Sequence, residues 1–276
     1  MCEFCVQHGD GKKWYLQAEN YAHDLSRDLE RREYVLDFVG KFDRRMRRNV
    51  PLLKMMAASP APLRAAFRSW VQPRQIRDHF GQPVPIEECE RIFDLATSIV
   101  SLPCVCRRFA GAPERGYCIA MTVTPHDELF EEAFRDYAGG PDTSRLQRLS
   151  KHEAMRVLRR AESEGLMHSV WTFKTPFIAA ICNCDLSSGC MAMQTTLTYG
   201  YKTMWKGEYR AKVDETACVG CGACVEICPF GALRMTGARV AEVGPEACFG
   251  CGICRSACAA DALGLEDRLV GGAVAW

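Results

Sequence analysis

The chain has 276 residues, 48% of them hydrophobic and 25% charged, with a formal net charge of +1. That length can bury a full core in one large or two smaller domains, and the composition excludes a disordered or fibrous chain. The near-zero charge argues against a strongly basic nucleic-acid or membrane-surface binder, and no apolar run approaches membrane-spanning length.

At the N-terminus, Cys2-x2-Cys5-x2-His8 offers two thiols and an imidazole, either a partial metal site or an incidental grouping. The start lacks the basic and apolar regions of an export signal. From Trp14 to about Arg48, Tyr21, Leu25, Leu29, Leu36, Val39, Phe42 and Met46 continue a helical spacing, which predicts helix divided near Gly40. Its basic end, Arg44-Arg45-Met46-Arg47-Arg48, suits the C-terminus of a helix dipole. It reads as a solvated face, or as a docking surface for an acidic partner. Pro51, Pro60, Pro62 and Pro73 are expected to break the next stretch into short pieces such as Leu63 to Val71. Ile86 to Val100 predicts an amphipathic helix with Glu87, Glu88 and Glu90 in its first turn and Cys89 as a packed thiol.

Cys104 and Cys106 follow, in Pro103-Cys104-Val105-Cys106-Arg107-Arg108, and Cys118 comes after a Gly/Pro loop. Tyr117 to Val123 predicts a strand and Asp127 to Tyr137 a helix. Ser150-Lys151-His152-Glu153 is a capping box opening a helix over Lys151 to Glu164, which Gly165 ends. Leu166 to Phe173 and Pro176 to Ile181 predict two strands, paired through Lys174-Thr175, that deliver Cys182-Asn183-Cys184 and then Cys190. A helix before a β-pair resembles the recognition helix and wing of winged-helix domains, with Arg156, Arg159 and Arg160 on that helix. The plain alternative is an α+β scaffold, and the lack of net basic charge argues against nucleic acid.

Alternate residues of a strand face one side, so Cys104 with Cys106 and Cys182 with Cys184 could converge on one ion or cluster. Cys118 and Cys190 are possible substitutes. With Cys2 and Cys5 these make eight candidate ligands, enough for two four-thiolate sites or for one site plus redox-active thiols. Scattered structural cysteines are the alternative.

The densest signal lies near the C-terminus. Cys218-Val219-Gly220-Cys221-Gly222-Ala223-Cys224-Val225-Glu226-Ile227-Cys228-Pro229 is followed thirty positions on by Cys248-Phe249-Gly250-Cys251-Gly252-Ile253-Cys254-Arg255-Ser256-Ala257-Cys258-Ala259. Each copy is C-x2-C-x2-C-x3-C. Three thiolates from one tight loop can take three corners of an iron–sulfur cubane, and the fourth cysteine completes the other cluster. That rule gives one [4Fe–4S] cluster to Cys218, Cys221, Cys224 and Cys258, and the other to Cys248, Cys251, Cys254 and Cys228. Two structural zinc sites would need only paired C-x2-C hooks. Matches at Ala217/Ala247, Ala232/Ala262 and Leu233/Leu263 mark an internal duplication.

Residues 212 to 266 thus resemble bacterial two-cluster ferredoxins, although Ala259 stands where that family usually has proline. The whole chain is similar to ferredoxin-like iron–sulfur proteins of anaerobic bacteria. That resemblance rests on the opening Cys2-Glu3-Phe4-Cys5, His8-Gly9 and Lys12-Lys13-Trp14-Tyr15-Leu16, on Cys104-x-Cys106-Arg107, and on the helix ending Glu164-Gly165-Leu166-Met167 before Cys182-Asn183-Cys184. It implies anaerobic electron transfer with a redox partner protein.

The expected architecture is α+β: a helix-rich domain over 1–205, with a further [4Fe–4S] cluster or zinc, and a two-[4Fe–4S] ferredoxin domain over 212–276. Seventeen cysteines without an export signal point to a reducing, cytoplasmic setting. The leading function is single-electron transfer. An oxidoreductase with a substrate-binding N-terminal cluster and a redox-sensing winged-helix regulator are the alternatives. No nucleophile motif, phosphate loop or dinucleotide fingerprint supports a named reaction.

Overall fold

The computed structural model describes residues 13–21, 28–112, 116–122, 146–187 and 189–268. Cys2, Cys5, His8 and the predicted helix over Asp127 to Tyr137 lie outside them. Two 3-10 turns, Trp14–Leu16 and Ala18–Tyr21, stand where the spacing predicts continuous helix. Helix α1 (Leu29–Gly40) begins where the Asp28 side chain accepts from the Arg31 N–H at 2.8 Å, and α2 (Phe42–Ala57) follows directly. Leu29, read as a core position, is exposed.

Pro60 and Pro62 open a new helix as expected, but Pro51 and Pro73 do not break the chain. Pro51 lies inside α2, and Pro73 inside α3 (Ala61–Asp78). Both rings are exposed, so the carbonyls left without an N–H partner can turn to water. The α2–α3 hairpin carries nine basic and two acidic residues over 42–78, and it exposes Leu52, Met55, Leu63 and Trp70.

After β1 (Gly81–Pro83), α4 (Ile86–Leu95) is shorter than predicted, because Ser98–Leu102 forms strand β2. The β-branched pair Ile99-Val100 favours the pleated surface over further helix. Next come α5 (Val105–Ala110), β3 (Cys118–Thr122), β4 (Gln147–Arg148) and α6 (Lys151–Ser163). The capping box of α6 is formed, with Ser150 N–H donating to Glu153 Oε2 at 2.8 Å. Strands β5 (Met167–Thr172) and β6 (Ile178–Cys184) complete a six-stranded antiparallel sheet in the order β1-β5-β6-β3-β2-β4. The β5–β6 pair sits in the middle of this sheet with a neighbour on each side, so it does not project as a wing.

The two faces of the sheet bury different cores. On one, α4 and α6 pack Ile92, Phe93, Met155 and Leu158 against Ile99, Ile119, Met121, Ile181 and Val170, with Trp14 and Tyr15 at the edge. Trp14 Nε1 donates to Gln82 Oε1 at 2.5 Å, which satisfies two fully buried polar groups. The opposite face holds Val35, Val39, Trp171, Phe173, Phe177 and Met193, together with cysteines. The chain leaves the sheet through α7 (Met191–Met193), a π-turn over Gln194–Thr198, and a stretch in which Tyr199, Tyr201, Met204 and Trp205 are buried.

The C-terminal part is a pair of small lobes: β7 (Tyr209–Val213) with β10 (Leu263–Asp267), and β8 (Leu233–Met235) with β9 (Ala241–Val243). Between the strands lie the short helices α8 (Ala223–Ile227) and α9 (Ile253–Ser256). Polar links tie the lobes to the sheet-bearing part. Arg255 pairs with Glu87 of α4 at 2.8 Å near the surface, while Arg268, 1% exposed, braces the lobes themselves by donating to Gly207 O at 2.8 Å and Cys248 O at 2.9 Å. Glu88, buried on α4, takes Lys13 at 2.9 Å and the Tyr209 hydroxyl. The class is α+β, and no helix among the described residues is long and apolar enough to cross a membrane.

Candidate metal centres

The two cysteine motifs fold alike. Gly222 and Gly252 adopt φ of 80° and 82° just before α8 and α9, a conformation that costs other residues strain. At Gly250 a Cβ would overlap the Tyr209 carbonyl, and at Gly220 the Arg239 carbonyl, so each loop lies directly on a neighbouring backbone. Four backbone N–H groups then point at sulfur. Ala232 donates to Cys228 Sγ and Ala262 to Cys258 Sγ, each at 3.3 Å, while Ala211 reaches Cys248 Sγ at 3.4 Å and Ala241 reaches Cys218 Sγ at 3.5 Å.

Two cavities result. One is lined by Cys218, Cys221, Cys224 and Cys258. The other is lined by Cys228, Cys248, Cys251 and Cys254. Each cavity therefore takes three cysteines from one motif and the fourth from the other. Burial pushes the Cys254 thiol up to about 12 and the Cys251 thiol higher still. Thiolates at such positions need a positive centre to compensate them, which iron supplies. The donor sets thus fit [4Fe–4S] clusters in number, type and hydrogen bonding.

The sheet assembles a second thiol group. Cys118 on β3 and Cys182 and Cys184 on β6 project from the same face, which also carries Leu102 and Ala180. The β3–β6 register pairs Ile119 with Ile181, which sets Cys118 opposite Cys182. Cys104 and Cys106 do not lie on a strand. Cys104 caps α5 and Cys106 is in its first turn, so helical geometry rather than strand alternation brings them together. Cys190 stands at the start of α7.

The six sulfurs form one continuous series of contacts, Cys106–Cys104–Cys118–Cys182–Cys184–Cys190. Cys104 and Cys182 each receive hydrogen bonds from two neighbouring thiols. This holds Cys104 well below the ordinary thiol range and brings Cys182 down to about 6. Cys106, Cys118, Cys184 and Cys190, as donors in a dry site, are raised. Among the described residues no three cysteine, histidine or carboxylate side chains meet at a single-ion position, and this holds for the eight motif cysteines as well. Cys89 is fully buried on the other face of the sheet and takes no part.

Sequence reasoning missed several residues around these centres. Arg107, 4% exposed, follows Cys106 directly, and its Nη2 lies 3.7 Å from Asp185 Oδ1, too long for a hydrogen bond. The tandem Cys-Arg dipeptide was its only signal. Phe230 and Phe249, stacked at 4.2 Å and 9°, pack Cys251 and Ile253 into the same apolar core that holds Cys184 and Cys190.

Duplicated lobes, each with a four-cysteine cavity drawn from both motifs, define a two-cluster iron–sulfur unit of the ferredoxin kind. Residues 211–265 match the 4Fe-4S dicluster domain family. The chain is similar to an iron-sulfur subunit of the CoB--CoM heterodisulfide reductase of Methanopyrus kandleri, at 58% identity over 36 residues, or 12% of this chain and 5% of that protein. It is also similar to one of the subunits of the tetrathionate reductase of Archaeoglobus fulgidus, at 40% identity over 60 residues, or 21% of this chain and 27% of that one. The chain therefore spans only a small part of these curated relatives. No solved structure matches it.

Proposed function

We propose that this chain is an electron-transfer protein in which a two-cluster unit and a six-thiol centre are joined by one buried apolar core. Cys218, Cys221, Cys224 and Cys258 hold one [4Fe–4S] cluster, and Cys248, Cys251, Cys254 and Cys228 the other. Cys104, Cys106, Cys118, Cys182, Cys184 and Cys190 hold a further thiolate-bound centre. The observation that carries this reading is continuity: Cys251, Phe249 and Phe230 share a single packed core with Cys184 and Cys190. Bound clusters supply reversible one-electron storage. The protein supplies the N–H···S bonds and the dry surroundings, both of which bias the potential.

Six sulfurs exceed the four that either one tetrahedral zinc or one [4Fe–4S] cluster takes. The surplus thiols also support a second reading, an oxidoreductase whose N-terminal centre binds substrate; both similar proteins are named as parts of reductases. In either case 1–205 and 212–276 act as two domains serving a redox partner protein. The fifteen described cysteines are all free, which suits a reducing, cytoplasmic setting. The regulator reading has less support, because β5 and β6 are both covered by neighbouring strands.

The test is iron, sulfide and zinc content of the anaerobically purified full chain, with a reductive titration. About eight irons and about two electrons would restrict the function to the dicluster unit. About twelve irons and a third electron support the reading. Zinc at the thiol site with no third electron makes that site structural.

A further inference from the structure

The two motifs are near copies, yet they meet different surroundings. Around the second motif Gly250, Cys251 and Gly252 are buried, with Cys251 9% exposed, and Phe249 is stacked on Phe230. Its backbone carbonyl accepts from Gly207 N–H at 2.8 Å, and a Cβ on Gly207 would come within 3.0 Å of it. The sheet-bearing part of the chain therefore seals this loop. At the equivalent place in the first motif, Val219 is 71% exposed and Cys221 is exposed. The same loop shape is thus used once as an internal docking surface and left open once.

Charged residues lie close in sequence to the open loop and its cysteines. Asp214, Glu215, Glu226 and Asp261 are all exposed, against the exposed cations Lys212, which pairs with Glu266, and Arg239, whose carbonyl faces Gly220. Hydrogen bonds from Thr216 and the Ala217 N–H hold the Asp214 carboxyl below its usual range, so it stays ionised.

We propose that the Val219–Gly222 loop is the docking surface for a one-electron carrier protein that presents a basic rim around an apolar centre. Val219 fills the role towards that partner that Phe249 fills towards the sheet. The inference rests on the electron-transfer reading for the partner's chemistry, while the surface itself is read from burial and charge. Docking here brings the partner to the more exposed four-cysteine set and leaves the sealed set facing the six-thiol site. The event at the surface is the transfer of one electron between the carriers, with no bond made or broken.

A basic c-type cytochrome serves as the probe, with the full chain, its iron and sulfide content measured first. Binding is followed by titration calorimetry at low and high ionic strength, and by amide hydrogen exchange. The expected result is protection over 214–226 and an affinity that falls with salt. Val219→Lys should weaken binding about tenfold at low salt, as for like charges about 6 Å apart at an effective dielectric of about 40. Should Val219→Lys lose iron, Glu215→Gln with Glu226→Gln tests the acidic residues alone and should flatten the salt dependence. Unchanged affinity in iron-replete variants, protection over 42–78 instead, or a self-associated chain that buries the loop would overturn the proposal. A chain that binds the probe at 214–226 but takes up no electrons would instead overturn the electron-transfer reading.

Discussion

Replacing Phe249 by Ala probes the seal between the dicluster unit and the sheet. The side chain is partly buried, stacks on Phe230 at 4.2 Å and packs with Cys251 and Ile253. A fully buried Phe→Ala change costs about 3–5 kcal/mol, and an aromatic pair adds about 0.5–1.5 kcal/mol beyond its area. Scaled for partial burial, the expected loss is about 2–3 kcal/mol, or about 5–10 °C in the midpoint for a chain of this size. The Gly207 N–H bond to the residue 249 carbonyl survives, so the loss reports side-chain packing alone. Val219→Ala is the matched change in the first motif. With its side chain in water it should cost less than about 0.5 kcal/mol. The assay is anaerobic denaturation followed in parallel by cluster absorbance and tryptophan fluorescence. In the parent the two traces should coincide, and in Phe249→Ala they should separate as the lobes release first. Equal losses for the two variants, or coincident traces in Phe249→Ala, would refute the idea that this residue seals the interface.

Cys228→Ala should disturb the cluster of Cys248, Cys251 and Cys254, and Cys258→Ala that of Cys218, Cys221 and Cys224; site-resolved spectra with each effect confined to its own motif would reverse the assignment. Cys182→Ala, at the middle of the six-sulfur series, should lower metal content below the parent's while leaving about eight irons, as measured by iron and zinc analysis. Arg107→Gln removes the buried cation that follows Cys106 in sequence and should lower the potential of that centre in a potentiometric titration, with the other two centres unmoved. His79 is packed among Phe38, Trp171 and Phe173, and burial brings its imidazole down to about 4. The unfolded state therefore binds the proton first, and stability should fall by up to about 1 kcal/mol per unit as pH drops from about 6.5 toward 4. His79→Phe should flatten that slope in denaturation curves taken between pH 7 and 5.5.

What could be read without the structure follows from how local each feature is. The dicluster cysteines were legible because three ligands of each set come from one seven-residue loop, and the glycines between them report its shape. The capping box of α6 was legible for the same reason. The six thiols were all named as candidates and the two C-x-C pairs were expected to converge, but the order in which the six meet was not legible, because Cys118 meets Cys182 only through a strand register set by tertiary packing. Strand logic suited Cys182 and Cys184 and failed for Cys104 and Cys106, which a short helix brings together. Strand β2 was hidden by the apolar run continuing from α4. Pro51 and Pro73 misled because exposure of their helix faces, which makes them tolerable, is not a local property. Buried Arg107, Glu88 and Arg268 depend on partners far along the chain and leave no local signature.

The six-stranded sheet also ends on both sides in ways that discourage growth. On one flank, β1 is three residues long, finishes in Pro83 and is bridged at Gly81 by Met204. On the other, β4 is only two residues long and exposed, with Arg148 at its end. A short edge, a missing N–H donor and a charged end each leave an incoming strand little to pair with. These protections do not depend on any metal. Once the sheet has formed in a newly made chain still waiting for iron, its edges therefore offer a poor template for aggregation.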